Sequence, residues 1–140
     1  MGFSSGHLAL VDCASAAVLI PATVVSETAV RAVSLGQGTA IASTDSDILA
    51  LSVVGKAIEV TGNLTHKQDK RHGVKTTPNL LQVHGNFLIE AHQKTKSLLV
   101  RNISEGKIEQ VMHGAHTDPI TALCVFQQKE LIFIVSAAKN

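Results

Sequence analysis

The chain contains neither tryptophan nor tyrosine, and its only aromatic rings, histidine apart, are four phenylalanines. Without broad amphipathic rings it lacks a stacking platform for bases or sugars, which argues against base-specific reading of single strands. Cysteine is confined to Cys13 and Cys124, far apart and with no metal-type spacing. Both are read as small apolar residues of a reducing compartment. Excess charge is missing as well. Twelve Lys and Arg face eleven Asp and Glu, giving +1 with histidine neutral, so no global field draws the chain to nucleic acid or a membrane. No apolar run reaches membrane-spanning length. The first residues have no basic flank and no unbroken apolar core, so no secretory leader is expected. Gly6 stands where a myristoylation signal wants Ser or Thr, and the sequons at Asn63 and Asn102 are idle without secretion. Together these absences predict a cytoplasmic or nuclear protein with no membrane contact.

What the chain does have is β-rich apolar sequence. Hydrophobic residues make up 45% of its 140 positions, enough for one globular domain spanning 1–140. The apolar residues are mostly Val, Ile, Leu and Ala. They fall in short runs separated by Gly, Asn, Asp and Ser turns, the signature of an all-β fold. Strands are expected at 7–12, 17–20, 29–34, 39–44, 48–53, 56–60, 80–83, 87–91, 97–102 and 107–111, with a slightly irregular strand around Val30 and Val33. A polar connection occupies 61–78. Helices compete for 26–35 and 98–111, but Gly36 and Gly106 interrupt them and β-branched runs flank both. Val30, Leu81 and Ile120 begin successive units about 40 to 50 residues apart, the interval that four short strands require.

The end of the chain carries the sharpest motif. Residues 114–123 read Gly-Ala-His-Thr-Asp-Pro-Ile-Thr-Ala-Leu, and 131–140 read Leu-Ile-Phe-Ile-Val-Ser-Ala-Ala-Lys-Asn. A histidine-bearing turn, a strand, a turn and a second strand follow one another. This resembles the first half of a blade from a WD-repeat β-propeller. In that family a His before the first strand, a Ser or Thr on the second and an Asp in the next turn bond with a Trp on the third. The resemblance places His116, Ser136 and Asn140 in the first three roles, with the Trp position beyond the last residue. Asp45 matches the turn Asp of the unit at 29–60, where Ser26 stands in place of the His and no Trp follows. The resemblance implies a structural part for Asp45, His116, Ser136 and Asn140, satisfying buried polar groups. It also implies a partial propeller of about three four-stranded antiparallel blades, arranged as half blade, two blades and half blade. The N-terminal half would give outer strands and the C-terminal half inner ones. Three blades are too few to close a ring. The chain is therefore expected to be part of a longer propeller or to assemble with another copy, with a different β fold as the remaining reading.

No phosphate-cradling loop, nucleophile elbow or zinc-protease motif is present, and no triad is arranged. Seven histidines are dispersed without ligand spacing, His84 and His92 being expected at turns or facing solvent. No cofactor or metal is implied, and no enzyme. The clearest polar feature is 65–77, where Lys67, Lys70, Arg71 and Lys75 oppose one carboxylate, Asp69. It is a solvated connection between blades or an electrostatic contact for an acidic partner, phosphate or RNA. The resemblance implies a non-enzymatic scaffold that binds protein partners. A nucleic-acid-associated module touching phosphates through the same loop is the alternative.

Overall fold

The computed structural model describes residues 6–36, 39–65 and 76–139. Among them the chain forms strands and no helix. In order these are β1 (His7–Val11), β2 (Val18–Val24), β3 (Val30–Gly36), β4 (Thr39–Thr44), β5 (Ile48–Val54) and β6 (Ala57–Asn63). After the polar connection come β7 (Leu80–His84), β8 (Phe87–His92), β9 (Ser97–Asn102), β10 (Ile108–Met112), β11 (Ile120–Gln128) and β12 (Leu131–Ala138). Both competing helical segments are strands. Val30 and Val33 open β3 with a bulge between Val30 and Ala32, and Gly106 takes a φ of 70° in the turn between β9 and β10. β6 runs on to Asn63, into residues read as loop. Asn63 pairs with Leu49, and its Nδ2 donates to Asp47 Oδ1 at 2.9 Å.

Every sheet is an antiparallel meander. Two four-stranded sheets, β3-β4-β5-β6 and β7-β8-β9-β10, are flanked by two-stranded sheets β1-β2 and β11-β12. The arrangement is propeller-like, and the described residues form no closed ring. β3 and β4 pack on β7, and β7 and β8 on β11, so the first strands of successive units line one side. β2 packs on β6, the outermost strand of its neighbour. The terminal sheets therefore differ: β1-β2 lies at the outer end of its unit and β11-β12 at the inner end.

Period-two alternation sends each four-stranded sheet's side chains to two interfaces. Ile41 and Ile48 meet Leu64, Leu81, Val83 and Leu88 between the two large sheets. On the other face of β3–β6, Ala42, Leu49 and Leu51 receive Leu8. On the far face of β7–β10, Ala91 and Leu98 pack with Ile120. The large sheets approach closely. A Cβ added to Gly36 would lie 2.6 Å from Val83 Cγ1. Polar groups cross the same gap: Val83 N donates to Ser34 Oγ at 2.9 Å, and Ser43 Oγ to the Pro78 carbonyl at 2.8 Å.

A buried ionic network also lies at this interface. Leu88, Glu90 and His92 on β8 share a sheet face with Ser97, Leu99 and Arg101 on β9. Glu90 and Arg101 are fully buried, both at 0% exposure. Arg101 Nε donates to Glu90 Oε2 at 2.5 Å and Nη2 to Oε1 at 3.4 Å. Nη1 donates to the carbonyls of Leu64 and Gly106 at 3.0 and 2.9 Å. His92 Nε2 lies 3.0 Å from Glu90 Oε1, and since a carboxylate only accepts, the histidine donates. His92 is thus buried, not turned to solvent. The turn that follows it is held by Asn79, whose Oδ1 accepts from Gln93 N at 3.1 Å.

Removing Glu90 would leave the Arg101 charge buried without its counter-ion. Glu90→Ala is expected to lower the unfolding free energy by about 3–5 kcal/mol. Asp45→Ala, at an ion pair open to water, should cost less than about 1 kcal/mol. Urea unfolding followed by circular dichroism measures both. Equal losses at the two positions would contradict the burial argument.

Candidate functional site

The terminal motif residues come together. His116 precedes β11 in a turn, and Ser136 lies on β12, paired across the hairpin with Leu123. His116 Nε2 is 2.8 Å from Ser136 Oγ in a half-buried setting. The same turn is tied to the preceding sheet by Lys96, whose Nζ donates to the Thr117 carbonyl at 2.5 Å. These contacts seat Ile120 into the apolar cluster with Ala91 and Leu98. The geometry uses the histidine as a fastening within the hairpin. Asn140 lies outside the described residues.

Asp45 sits in the β4–β5 turn, far in sequence from His116. Its carboxylate accepts from Arg31 Nε on β3, and its backbone N–H donates to the Ala29 carbonyl at 3.2 Å. Thr44 and Asp47 complete the turn: Asp47 N donates to Thr44 Oγ1 at 3.0 Å, and Thr44 N to the Asp47 carbonyl at 2.8 Å. The ion pair is surface-bound, with Arg31 and Asp45 side chains 53% and 42% exposed.

Lys67, Lys70, Arg71 and Lys75 lie outside the described residues, but the two points where their loop leaves and rejoins the fold are described. Leu64 is buried; its N–H donates to the Ile48 carbonyl at 2.7 Å, and its carbonyl accepts from Arg101. On the return, Thr77 Oγ1 donates to the Thr44 carbonyl, and Asn79 N to the Ala91 carbonyl at 2.9 Å. Beside the return strand opens a cleft of about 310 Å³ lined by Arg31, Asp45, Thr76, Thr77, Asn79, Gln93 and Lys94. Sequence reasoning found the basic loop but not this cleft. Arg31, Thr76 and Lys94 are remote in sequence and meet only because β3 and the β8–β9 turn border the same entry. Among the described residues no three His, Cys, Asp or Glu side chains converge as a metal site.

The cleft joins hydrogen-bonding groups to Lys94, which forms no salt bridge among the described residues, and to the Arg31–Asp45 pair, a net charge of one positive. It can hold polar groups by hydrogen bonds, with a modest Coulomb preference for anionic ones.

No protein-family model and no curated protein matches the chain. Solved structures do. The fold is similar to that of Sqt1 from Saccharomyces cerevisiae, a WD-repeat protein, with a TM-score of 0.71 at 14% identity over 98% of this chain and 38% of Sqt1. It is also similar to two computationally designed proteins. Ika8 matches with a TM-score of 0.68 at 17% identity, over 99% of this chain and 39% of Ika8. Ika4 matches with 0.65 at 16% identity, over 99% of this chain and 77% of Ika4. The chain thus spans well under half the length of Sqt1 and Ika8. At these identities the likeness is one of fold, and it agrees with a propeller-like arrangement of antiparallel sheets.

The His116–Ser136 bond makes a separable prediction. His116→Ala and Ser136→Ala should each cost about 1 kcal/mol, and a double-mutant cycle should show coupling of about 0.5–1.5 kcal/mol. Additive losses in urea unfolding would mean that the two side chains act independently.

Proposed function

We propose that this chain is a non-enzymatic, WD-repeat-type scaffold for protein partners in the cytoplasm or nucleus, with its contact surface at the root of the 65–77 loop. The observation that carries this reading is the polar cleft at the root of that loop, where Lys94 and the Arg31–Asp45 pair line the wall beside Thr76 and Thr77. Four further cations, Lys67, Lys70, Arg71 and Lys75, belong to the loop itself. Binding groups on connections held by rigid sheets are the usual way a repeat scaffold meets its partners. The absence of Trp and Tyr favours an acidic protein segment over an RNA that must be stacked. His116, Ser136, Asn140 and Asp45 serve the fold in this reading. No cofactor is required.

A Glu-rich peptide and poly(U) RNA, titrated separately at several salt concentrations, test the proposal. The peptide should bind, and Lys70→Ser/Arg71→Ser should weaken it roughly threefold to thirtyfold, as expected for two exposed ion pairs of up to about 1 kcal/mol each. Tighter binding of poly(U) with a steep salt slope would favour a phosphate-contacting module instead. Unchanged binding of both probes by the double variant would remove the loop from the site.

A further inference from the structure

Arg31 and Arg101 each bond a carboxylate through Nε, and they differ in what their remaining donors do. Arg101 is buried, and its Nη groups are met by Glu90 and by two main-chain carbonyls. Arg31, on β3, gives Nε to the Asp45 carboxylate, and among the described residues its two Nη groups have no partner. A guanidinium carries five donors in a rigid fork, so the whole Nη edge of Arg31 is left over. Arg31 and Asp45 both line the cleft of about 310 Å³ at the root of the 65–77 connection.

The fold has little use for this pair. The turn that carries Asp45 is fixed by other bonds: Asp45 N donates to the Ala29 carbonyl at 3.2 Å, and Asp47 N to Thr44 Oγ1 at 3.0 Å. At the last hairpin a histidine, His116, closes onto Ser136. The matching place before β3 holds Ser26, whose hydroxyl bonds Thr28 at 3.1 Å and does not reach Asp45. Among the described residues Arg31 is the one side chain bonded to the Asp45 carboxylate. With side chains 53% and 42% exposed, the pair contributes little to stability.

We propose that Asp45 is a positioning residue for partner binding. By holding Nε it fixes the plane of the Arg31 fork. The Nη edge then receives one carboxylate of an acidic protein segment end-on, through two parallel hydrogen bonds. This rests on the reading that such a segment binds at the cleft. A free arginine side chain has many rotamers, and ordering it on binding costs affinity; Asp45 orders it beforehand. Lys94, from the β8–β9 turn, leaves the cleft with a net charge of one positive, which a single carboxylate neutralises. Asp45 therefore opposes the ligand as a charge and favours it as an orienting group.

Substitution separates the two effects. Asp45→Asn and Asp45→Ala both remove the negative charge, but only asparagine keeps an oxygen that can accept from Arg31 Nε. Calorimetric titration of a Glu-rich peptide into the full chain at low salt compares them, with Arg31 intact and with Arg31→Lys. Wild type should bind, and Asp45→Asn at least as tightly. Asp45→Ala should bind roughly threefold to tenfold more weakly than Asp45→Asn, as expected for one long side chain left to be ordered on binding. Lysine lacks the fork, so this difference should vanish with Arg31→Lys. Circular dichroism checks that the variants keep their sheets, as substitutions at an exposed pair should. Equal affinities of Asp45→Asn and Asp45→Ala would overturn the inference and leave the cleft as the binding site. A difference that persists with Arg31→Lys would overturn it too, since Asp45 would then act through another group. A wild-type chain that does not bind the peptide would overturn it together with the reading it rests on.

Discussion

The structure depends on a buried charge that must stay paired. Arg101 enters the space between the two large sheets with its guanidinium shielded from water, and Glu90 lies beside it equally shielded. Taking both ions out of water costs several kcal/mol each, and their attraction offsets this only when the geometry is good and the remaining donors are met. Here they are met: two donors reach Glu90, and Nη1 is shared by two main-chain carbonyls. One of those carbonyls, Leu64, belongs to the neighbouring sheet's exit. The relative position of the two sheets is therefore set by directional bonds as well as by apolar area. A slide of either sheet would strand a charge.

The apolar packing adapts to this constraint. Between the large sheets, Gly36 admits Val83, and Ser34 and Ser43 meet main-chain groups of the opposing unit. Toward the chain's ends the packing centres on apolar side chains, Leu8 on one side and Ile120 on the other. Polar contacts there lie at the rim, from Lys96 to the Thr117 carbonyl and between His84 and Gln127. The buried ionic contacts sit at the centre, between the two four-stranded sheets.

Much of the architecture was legible in the sequence because strand periodicity is local. Val30, Ile41, Leu88 and Leu99 stand in runs whose β-branched content and turn residues bound them closely. The His116–Ser136 contact was legible through a motif with fixed spacing around one hairpin. Glu90 and Arg101 were not, though each is a lone charge within an apolar strand. Their meeting depends on the β8–β9 register, which pairs Leu88 with Arg101 and Glu90 with Leu99 and so sets the two charges diagonally. His92 was misplaced for a related reason. Its position beside a turn indicates exposure, but the strand alternation puts its ring on the buried face of β8, bonded to Glu90. The cleft at Arg31 and Lys94 was hidden because its walls come from both large sheets and from the connection between them.

The two anchors of the 65–77 connection have a consequence for how the chain tolerates change. Leu64 is fixed by a backbone bond and by Arg101, and the return is fixed at Thr77, Pro78 and Asn79. Both anchors are made by described residues on either side of 66–75. The entropy of closing a chain segment between two fixed points grows only logarithmically, by about 0.6 kcal/mol for each doubling of its length. The register of the two large sheets is set outside that segment, so the sheets themselves set no particular number of residues between Leu64 and Thr77.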